Sequence, residues 1–519
     1  MLEACEQRIV MSGSPNTVLR GEAARDLLET IIRQHEEGIR SVLATYDAAA
    51  AVDAWGETLR GREAFINVLH FGVEDGPDLA WLRTCPIGDN ILTDPARMPR
   101  ILEIVGRRND SGVVARFRRT LVQVAAADTQ FTHLGLRLTG LDRGIRTVWE
   151  AQAYLQSRRR HFVSLLYHMP DTCCGEARLE PMLALQVLAP MVEHCCATIT
   201  GTHQRLVLLE IFPDFELIED PRGYRGNREF EELEQHFLEP ERLSVLAMAQ
   251  QRPDQIRPYR QEPIPTGAIF SVEELRNEVR CLLAAYESFG RDDGYAAVAR
   301  VVIALSRLCL DDYFIVLPEI RLRAILANQT EFDIDQLMDW LVAHPGTYAE
   351  QTNAHQPFVS VEGVLSSNVR LLSRFFYDFR NRHLAMNRRF MIHSGFIFED
   401  MVKTDLAEMG FEVTDAKRVE GREFDVVALK GDVIYNFQCK NNGLNLFQVE
   451  SAPRRLARAN RRLVSYYRRA LKMERARQGL LQAHFGKSEI RHYVISRFPV
   501  MTDEPNIIPY NAIARLSDV

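Results

Sequence analysis

Polar residues between positions 395 and 441 combine the groups that metal-assisted hydrolysis uses. Glu399 ends a Gly-Phe-Ile-Phe-Glu segment, Glu423 and Asp425 flank a phenylalanine, and Gln438 and Lys440 flank a cysteine. Hard cations such as Mg²⁺ take oxygen ligands and keep several waters. A lysine beside the ion can orient one of those waters for attack on a phosphodiester. The residue types therefore indicate phosphodiester hydrolysis as the candidate chemistry.

A helix is predicted to carry Glu399. It runs from about Ser394, a good N-cap residue, to about Gly410, a good helix terminator. Glu399 lies at the edge of the apolar stripe of this helix, where an unpaired carboxylate costs free energy. The stripe that faces the core consists of residues at helical spacing, namely Phe398, Val402, Leu406 and Met409.

Three strands are predicted after this helix, because alternating, valine-rich runs are separated by turn residues. The first runs from Phe411 to Val419 and is followed by a turn at Glu420-Gly421. The second runs from Arg422 to Leu429. A hairpin connection at Lys430-Gly431-Asp432 leads to the third strand, Val433 to Lys440.

The strand alternation groups the polar side chains. Because successive side chains point to opposite faces, Glu423 and Asp425 share one face of their strand. Gln438 and Lys440 likewise share one face, and Cys439 points into the core. The polar faces of two antiparallel strands can be neighbours, and the helix carboxylate can reach the same surface. The pattern predicts one polar site on the sheet.

The order of these pieces resembles the PD-(D/E)XK nuclease superfamily and, within it, the Mrr-like restriction endonucleases, where Gln replaces the acid of the last motif. The resemblance covers about residues 391 to 500. It implies a C-terminal α/β domain of the restriction-endonuclease-like class with an α-β-β-β-α-β core. Phe424 stands where the pattern often has proline, and no glycine adjoins Asp425.

The resemblance also implies roles for individual residues. Asp425 would be the main metal ligand, with Gln438 and the backbone carbonyl of Cys439 as further ligands. Lys440 would orient the water. The implied cofactor is Mg²⁺, for which Mn²⁺ can substitute. The expected catalytic set is Asp425, Gln438, Lys440, Glu399 and Glu423.

Three functions remain open at this point. Taken alone, a strand with Asp and a Gln-x-Lys segment is ordinary solvated sheet, but the order of all the pieces favours a nuclease site. The resemblance implies a metal-dependent endonuclease acting on double-stranded DNA, with restriction or anti-phage defence as its setting in a bacterium. The alternatives are a structure-specific or RNA nuclease, and an inactive nucleic-acid-binding or scaffold protein.

A basic helix is predicted after the site, from Pro453 to about Gly479. Its only acid is Glu474, and an apolar face including Leu456 and Tyr467 is expected to pack on the sheet. We expect the basic stripe to contact phosphates, with a solvated amphipathic helix as the alternative. The stripe consists of Arg454, Arg458, Arg461, Arg468, Lys472 and Arg475.

Length and charge predict several domains. A chain of 519 residues is long for one core. Residues 391–519 carry 20 Lys and Arg against 16 Asp and Glu, so the first 390 carry a net charge of −11 within the total of −7. All six lysines lie at or beyond Lys403. We predict a recognition or regulatory region (1–250), a proline-containing linker (250–265), a helical region (266–390) and a nuclease domain (391–519) with an independent core.

The N-terminal region is predicted to be α+β. A helical pattern runs from Gly21 to about Ala50, and Arg158-Arg159-Arg160 is interpreted as a solvated corner. Four apolar runs are strand-like, and for the last two of them buried helix is the alternative. They are Val113–Phe117, Leu121–Ala125, Arg160–Tyr167 and Leu206–Ile211.

The remaining features of the sequence narrow the class of protein and its expected location. The sequence has no signal-peptide pattern and no apolar run of about 18 residues, so no membrane association is expected. Nine cysteines do not indicate a disulfide scaffold, and a cytoplasmic location is expected. No ATPase motif is present. We expect nucleic acid as partner, a homo-oligomer, and a protein partner through the N-terminal region.

Overall fold

The computed structural model describes residues 17–71, 76–87, 94–133, 144–220, 223–229, 262–265, 267, 269–287, 293–384, 388–442, 444 and 448–518. It is a mixed α/β structure, mostly helical, with small sheets. Most of the predicted linker at 250–265 lies outside these residues. None of the described helices combines the length and apolar character needed to cross a membrane.

The N-terminal region is a bundle of helices with one small sheet. The sheet joins β1 (Val18–Leu19), β2 (Leu217–Asp220) and β3 (Gly223–Gly226). A π-helical turn, Val192–Cys196, separates the last two helices. The helices are α1 (Gly21–Leu43), α2 (Ala48–Phe71), α3 (Pro77–Thr84), α4 (Arg97–Gly106), α5 (Ser111–His133), α6 (Val148–Ser157), α7 (Arg159–Thr172), α8 (Ala184–Met191) and α9 (Ala197–Ile211).

All four strand-like runs of this region are helical, so the strand prediction is wrong, and the buried-helix alternative given for the last two runs is confirmed. Val113–Phe117 and Leu121–Ala125 lie in α5, Arg160–Tyr167 lies in α7, and Leu206–Ile211 lies in α9. The reason is burial on several sides. Ten consecutive residues of α7 are buried, from Arg160 to Met169, so the run shows no helical period.

The middle region contains helices and a sheet, whereas the sequence predicted helices alone. Strands β4 (Phe314–Pro318), β5 (Val359–Val361) and β6 (Val364–Asn368) form an antiparallel sheet with β6 in the centre. Asp333 caps its helix by accepting a hydrogen bond from the Asp335 N–H. The helices are α10 (Val272–Glu287), α11 (Asp293–Ser306), α12 (Glu319–Gln329), α13 (Ile334–Leu341), α14 (Tyr348–Thr352) and α15 (Val369–Leu384).

The C-terminal region has the predicted order of helix, strands, helix and strand. A five-stranded sheet has the order β13-β12-β11-β10-β7. The elements are α16 (Arg388–Glu408), β7 (Glu412–Val413), β8 (Arg418–Val419), β9 (Arg422–Glu423), β10 (Val426–Lys430), β11 (Val433–Lys440), α17 (Gln448–Ser451), α18 (Pro453–Ala476), α19 (Gln478–Phe485), β12 (Glu489–Ser496), β13 (Ile507–Pro509) and a final 3₁₀ segment (Tyr510–Asp518).

Two boundaries differ from the prediction. Helix α16 includes Arg388, so Ser394 lies inside it and is not its N-cap. The strand predicted from Phe411 to Val419 is reduced to its two ends, β7 and β8. The β10–β11 hairpin is confirmed, since Lys430 pairs with Val433 across a two-residue turn in which Gly431 has a φ of 60°.

The sheet is covered on both faces, and the second cover is shared with the N-terminal region. Helix α16 contributes Phe398 and Val402 to a core against one face. On the other face, Tyr467 of α18 and Val494 of β12 belong to the same hydrophobic cluster as the N-terminal bundle. Helix α9 packs directly against α18. The core on that face is therefore partly shared with the N-terminal bundle, next to a smaller separate cluster that includes Leu481 of α19.

The predicted solvated corner at residues 158–160 is wrong. Each arginine has a carboxylate partner from a distant part of the chain, and all three carboxylates are buried. The partners could not be inferred from local sequence. Arg158 pairs with Glu193, Arg159 with Glu63 and Arg160 with Glu450.

Candidate active site

Asp425 lies at a break between two strands. The sequence predicted one continuous strand, but the chain leaves β9 after Glu423 and enters β10 at Val426. The Phe424 N–H donates to the Lys417 carbonyl at 3.0 Å, which ties this position to the separate β8–β9 ribbon. Asp425 is thereby left at the start of β10. Its Oδ2 accepts a hydrogen bond from the Cys439 N–H at 2.9 Å.

Gln438 and Lys440 share one face of β11, as the alternation predicts. The Lys440 ammonium donates to Gln438 Oε1 at 2.7 Å and lies 3.8 Å from Asp425 Oδ2. The Lys440 side chain is 15% exposed and that of Asp425 is 22% exposed. Cys439 points to the opposite face, where it packs against the α16 core. Three of the predicted groups are thus brought together by the β10–β11 hairpin.

Glu399 approaches the same place from α16. It follows Phe398, which is buried in the core against the sheet. Burial and the neighbouring Asp425 carboxylate raise the pKa of Glu399 to about 7. Burial also raises the pKa of Asp425, against the opposing effects of Lys440 and the Cys439 N–H. The two carboxylates therefore form a site in which added positive charge is favourable.

Glu423 is not brought into this group. It lies in the exposed β8–β9 ribbon, where it stands opposite Arg418. Its side chain makes no hydrogen bond or ion pair with any described residue. Because the alternation is interrupted after β9, the predicted shared face of Glu423 and Asp425 does not form. Phe424 and Val427 pack in one cluster, although residues an odd number of positions apart would point to opposite faces of a continuous strand.

The donor set fits a hard cation. Asp425 and Glu399 offer carboxylate oxygens, and Gln438 offers an amide oxygen next to the ammonium of Lys440. In a β-strand, the N–H and C=O groups of one residue point toward the same neighbouring strand. The Cys439 carbonyl therefore points to the Asp425 side, as the Cys439 N–H does. Within the described ranges, no three His, Cys, Asp or Glu side chains cluster as ligands. Besides the two carboxylates, a bound ion would therefore need amide, carbonyl and water oxygens as ligands.

A buried polar network lies behind the site and was not predicted. Asn436 Nδ2 donates to Glu474 Oε2 at 2.8 Å and contacts His492 Nδ1 at 3.2 Å. Arg477 Nε donates to the same Glu474 oxygen at 2.9 Å, and its guanidinium lies over the Phe424 ring at 4.4 Å. In the sequence, the one sign of this network was that Glu474 interrupts a basic helix. Its role is to connect α18 to the sheet.

The basic stripe of α18 is divided between protein contacts and solvent. Arg454 pairs with Glu210 at 3.2 Å, and Arg461 donates to the Glu210 carbonyl at 2.7 Å. Arg468 pairs with Glu504 at 2.8 Å. The other three predicted residues are exposed and make no side-chain contact of this kind with any described residue, namely Arg458, Lys472 and Arg475.

Comparisons with known proteins give no relative: no family model, no curated protein and no solved structure matches the chain significantly.

Proposed function

We propose that the chain is a metal-dependent nuclease with its site at the start of β10 and the end of β11. One observation carries the proposal: the Lys440 ammonium lies 2.7 Å from the Gln438 amide oxygen and 3.8 Å from the Asp425 carboxylate. This is the combination of ligand oxygens and an amine that the sequence resemblance to PD-(D/E)XK nucleases implies. Glu399 adds a second carboxylate from the facing helix.

The residues have separable roles in this proposal. Asp425, Gln438 and the Cys439 carbonyl would hold Mg²⁺, with Glu399 as an additional or water-mediated ligand. The ion would polarise the phosphodiester and lower the pKa of a bound water. Lys440 holds the Gln438 oxygen in place and is positioned to orient that water. The Cys439 N–H fixes the Asp425 carboxylate.

Nucleic acid is the substrate that the charges favour. The exposed Arg458, Lys472 and Arg475 lie on α18, the helix whose Glu474 joins the network beneath the sheet. Cations on such a helix can neutralise phosphates without reading sequence. Double-stranded DNA is the preferred substrate by the family resemblance. Junctions and RNA remain the second candidate, and cleavage of each is measured in the same assay.

The test is Mg²⁺-dependent cleavage of plasmid, junction and RNA substrates by purified full-length protein. Asp425→Asn and Lys440→Met should each abolish cleavage while leaving the thermal midpoint within a few degrees. Gln438→Glu should retain activity, because a carboxylate oxygen replaces the amide oxygen. Cleavage of DNA by Asp425→Asn at the wild-type rate would overturn the site.

Matched controls come from the same hairpin. Asp432 is fully exposed at the turn, and Lys430 lies on β10 with its ammonium 4.7 Å from the Phe411 ring. Asp432→Asn and Lys430→Met remove the same charges outside the site, so both should keep full cleavage. No cleavage of any substrate by the wild-type protein, together with metal-independent DNA binding, would favour the inactive binding protein.

A further inference from the structure

Arg497 lies directly beside Lys440. Strand β12 runs parallel to β11, with Ser496 paired to Lys440, and Arg497 is the next residue. Its N–H donates to the Lys440 carbonyl at 2.9 Å. Its guanidinium Nη1 donates to Asn441 Oδ1, also at 2.9 Å. The end of β12 therefore holds a second cation next to the end of β11.

A third cation approaches from another part of the chain. Arg380 lies on α15 in the middle region and is 4% exposed. Burial and the neighbouring Arg380 guanidinium lower the pKa of Arg497 to about 10. Two guanidinium groups that disfavour each other's charge are stabilised when an anion binds between or beside them. Arg497 is partly exposed, so an anion from solvent can reach it.

We propose that Arg497, supported by Arg380, forms an anion site for a phosphate group beside Lys440. The planar fork of a guanidinium matches a phosphate with two parallel hydrogen bonds, and its charge persists at neutral pH. Asn441 holds the Arg497 side chain by its Oδ1, which fixes the direction of the fork. The site lies at the junction of the middle and C-terminal regions.

The identity of the ligand rests on the proposed nuclease function. A nucleic-acid strand whose scissile phosphate lies at Asp425 and Lys440 carries further phosphates at regular spacing. We assign Arg497 to one of these neighbouring phosphates, as a positioning residue that fixes the register of the strand. Arg380 acts through Arg497 by strengthening the local positive potential, because it is itself buried.

The first experiment measures anion binding without cleavage. Thermal unfolding of the full chain is followed with increasing inorganic phosphate, against chloride at the same ionic strength. We expect phosphate to raise the midpoint of the wild type and to have no specific effect on Arg497→Gln. Arg491→Gln is the matched control, because Arg491 is exposed on the same strand and pairs with Glu489.

The second experiment measures DNA binding in the Asp425→Asn background. Each lost phosphate contact lowers the log–log salt slope by about 0.9, so Arg497→Gln should flatten it by about one unit. Arg497→Lys should keep the slope and reduce the affinity, which a merely structural role would not produce. Arg380→Gln is the corresponding variant for the supporting arginine. If it does not fold, Arg380→Lys, which keeps the buried charge, takes its place in the same binding measurement.

The outcomes separate the two proposals. Equal phosphate stabilisation and equal salt slopes in wild type and Arg497→Gln would overturn the anion site, whatever the cleavage result. Phosphate stabilisation that depends on Arg497, in a protein that neither binds nor cleaves nucleic acid, would keep the anion site and overturn the nuclease.

Discussion

Arg160 and Glu450 stand 290 positions apart in the sequence and form a buried ion pair with an Nη2–Oε2 distance of 2.5 Å. Asn353 Nδ2 donates to the same Glu450 oxygen at 2.8 Å, and Thr200 Oγ1 donates to the other at 3.1 Å. The four residues come from the N-terminal, middle and C-terminal regions. Through Glu450, this node connects all three regions.

Removing Glu450 should destabilise the whole chain. Glu450→Ala leaves the Arg160 guanidinium buried with one partner fewer, which costs about 3 to 5 kcal/mol in comparable buried pairs. The measurement is the free energy of unfolding in denaturant. Glu489→Ala breaks an exposed pair with Arg491 and should cost less than about 1 kcal/mol. An equal, small cost for both variants would show that the node does not hold the regions together.

The same pair predicts acid sensitivity. Burial raises the pKa of Glu450, but Arg160, His203 and Asn353 together outweigh burial, and the net pKa is lowered. A carboxylate with a lowered folded-state pKa contributes stability above its unfolded pKa and loses it as pH falls through the folded pKa. Glu450→Gln should therefore show a smaller loss of stability between pH 6 and pH 3 than the wild type. Unfolding curves at several pH values test this.

The raised pKa of Glu399 predicts a pH dependence of stability that is opposite in sign to that of Glu450. Burial and Asp425 raise its pKa to about 7, so ionisation costs stability as pH rises from its unfolded value through 7. Glu399→Gln should be more stable than the wild type at pH 8, by about 1 kcal/mol for a half-exposed group, and equal at pH 4. Mg²⁺ should reduce the difference at pH 8.

The exposed half of the basic stripe should carry the salt dependence of DNA binding. The combined Arg458→Gln, Lys472→Gln and Arg475→Gln variant should lower the log–log salt slope by roughly two to three, at about 0.9 per contact. Arg454→Gln with Arg461→Gln removes contacts to Glu210 instead. That variant should lower stability and leave the slope unchanged. The reverse pattern would show that α18 does not contact phosphates.

The shared core predicts the behaviour of a C-terminal fragment. The sequence predicted an independent core for residues 391–519. In the full chain, Tyr467 and Val494 share a hydrophobic cluster with the N-terminal bundle. We expect a 388–519 fragment to lose much of its thermal stability and to regain it when residues 1–384 are added. A cooperative melt of the fragment at the full-length temperature would contradict this expectation.

Local signals predicted the elements that bring Gln438 and Lys440 together. The β10–β11 hairpin was predicted at its turn residues, and β11 has the predicted limits of Val433 and Lys440. The facing of Gln438 and Lys440 follows from alternation alone. Glu423 was misplaced because the β8–β9 ribbon diverts the backbone at Phe424, and no residue type at that position signals the diversion.

Long-range partners explain the remaining errors. The charge run at residues 158–160 has the composition of a solvated corner, but its partners lie up to 290 positions away. Helices α5, α7 and α9 are buried on several sides, so they lack the one-sided period that identifies a helix. Arg380 and Arg497 belong to different regions of the chain, so no local sequence pattern relates them.

The hydrophobic cluster that joins the N-terminal bundle to the C-terminal sheet also determines when the fold can be completed during synthesis. Helix α9 ends at Ile211, yet the cluster it belongs to includes Ile507. At about 5 to 20 residues per second, a ribosome needs roughly 15 to 60 seconds to make the chain between them. The N-terminal bundle must wait that long with an incomplete surface. The β10–β11 hairpin, next to Asp425 and carrying Lys440, consequently reaches its final support only after Ile507 has been made.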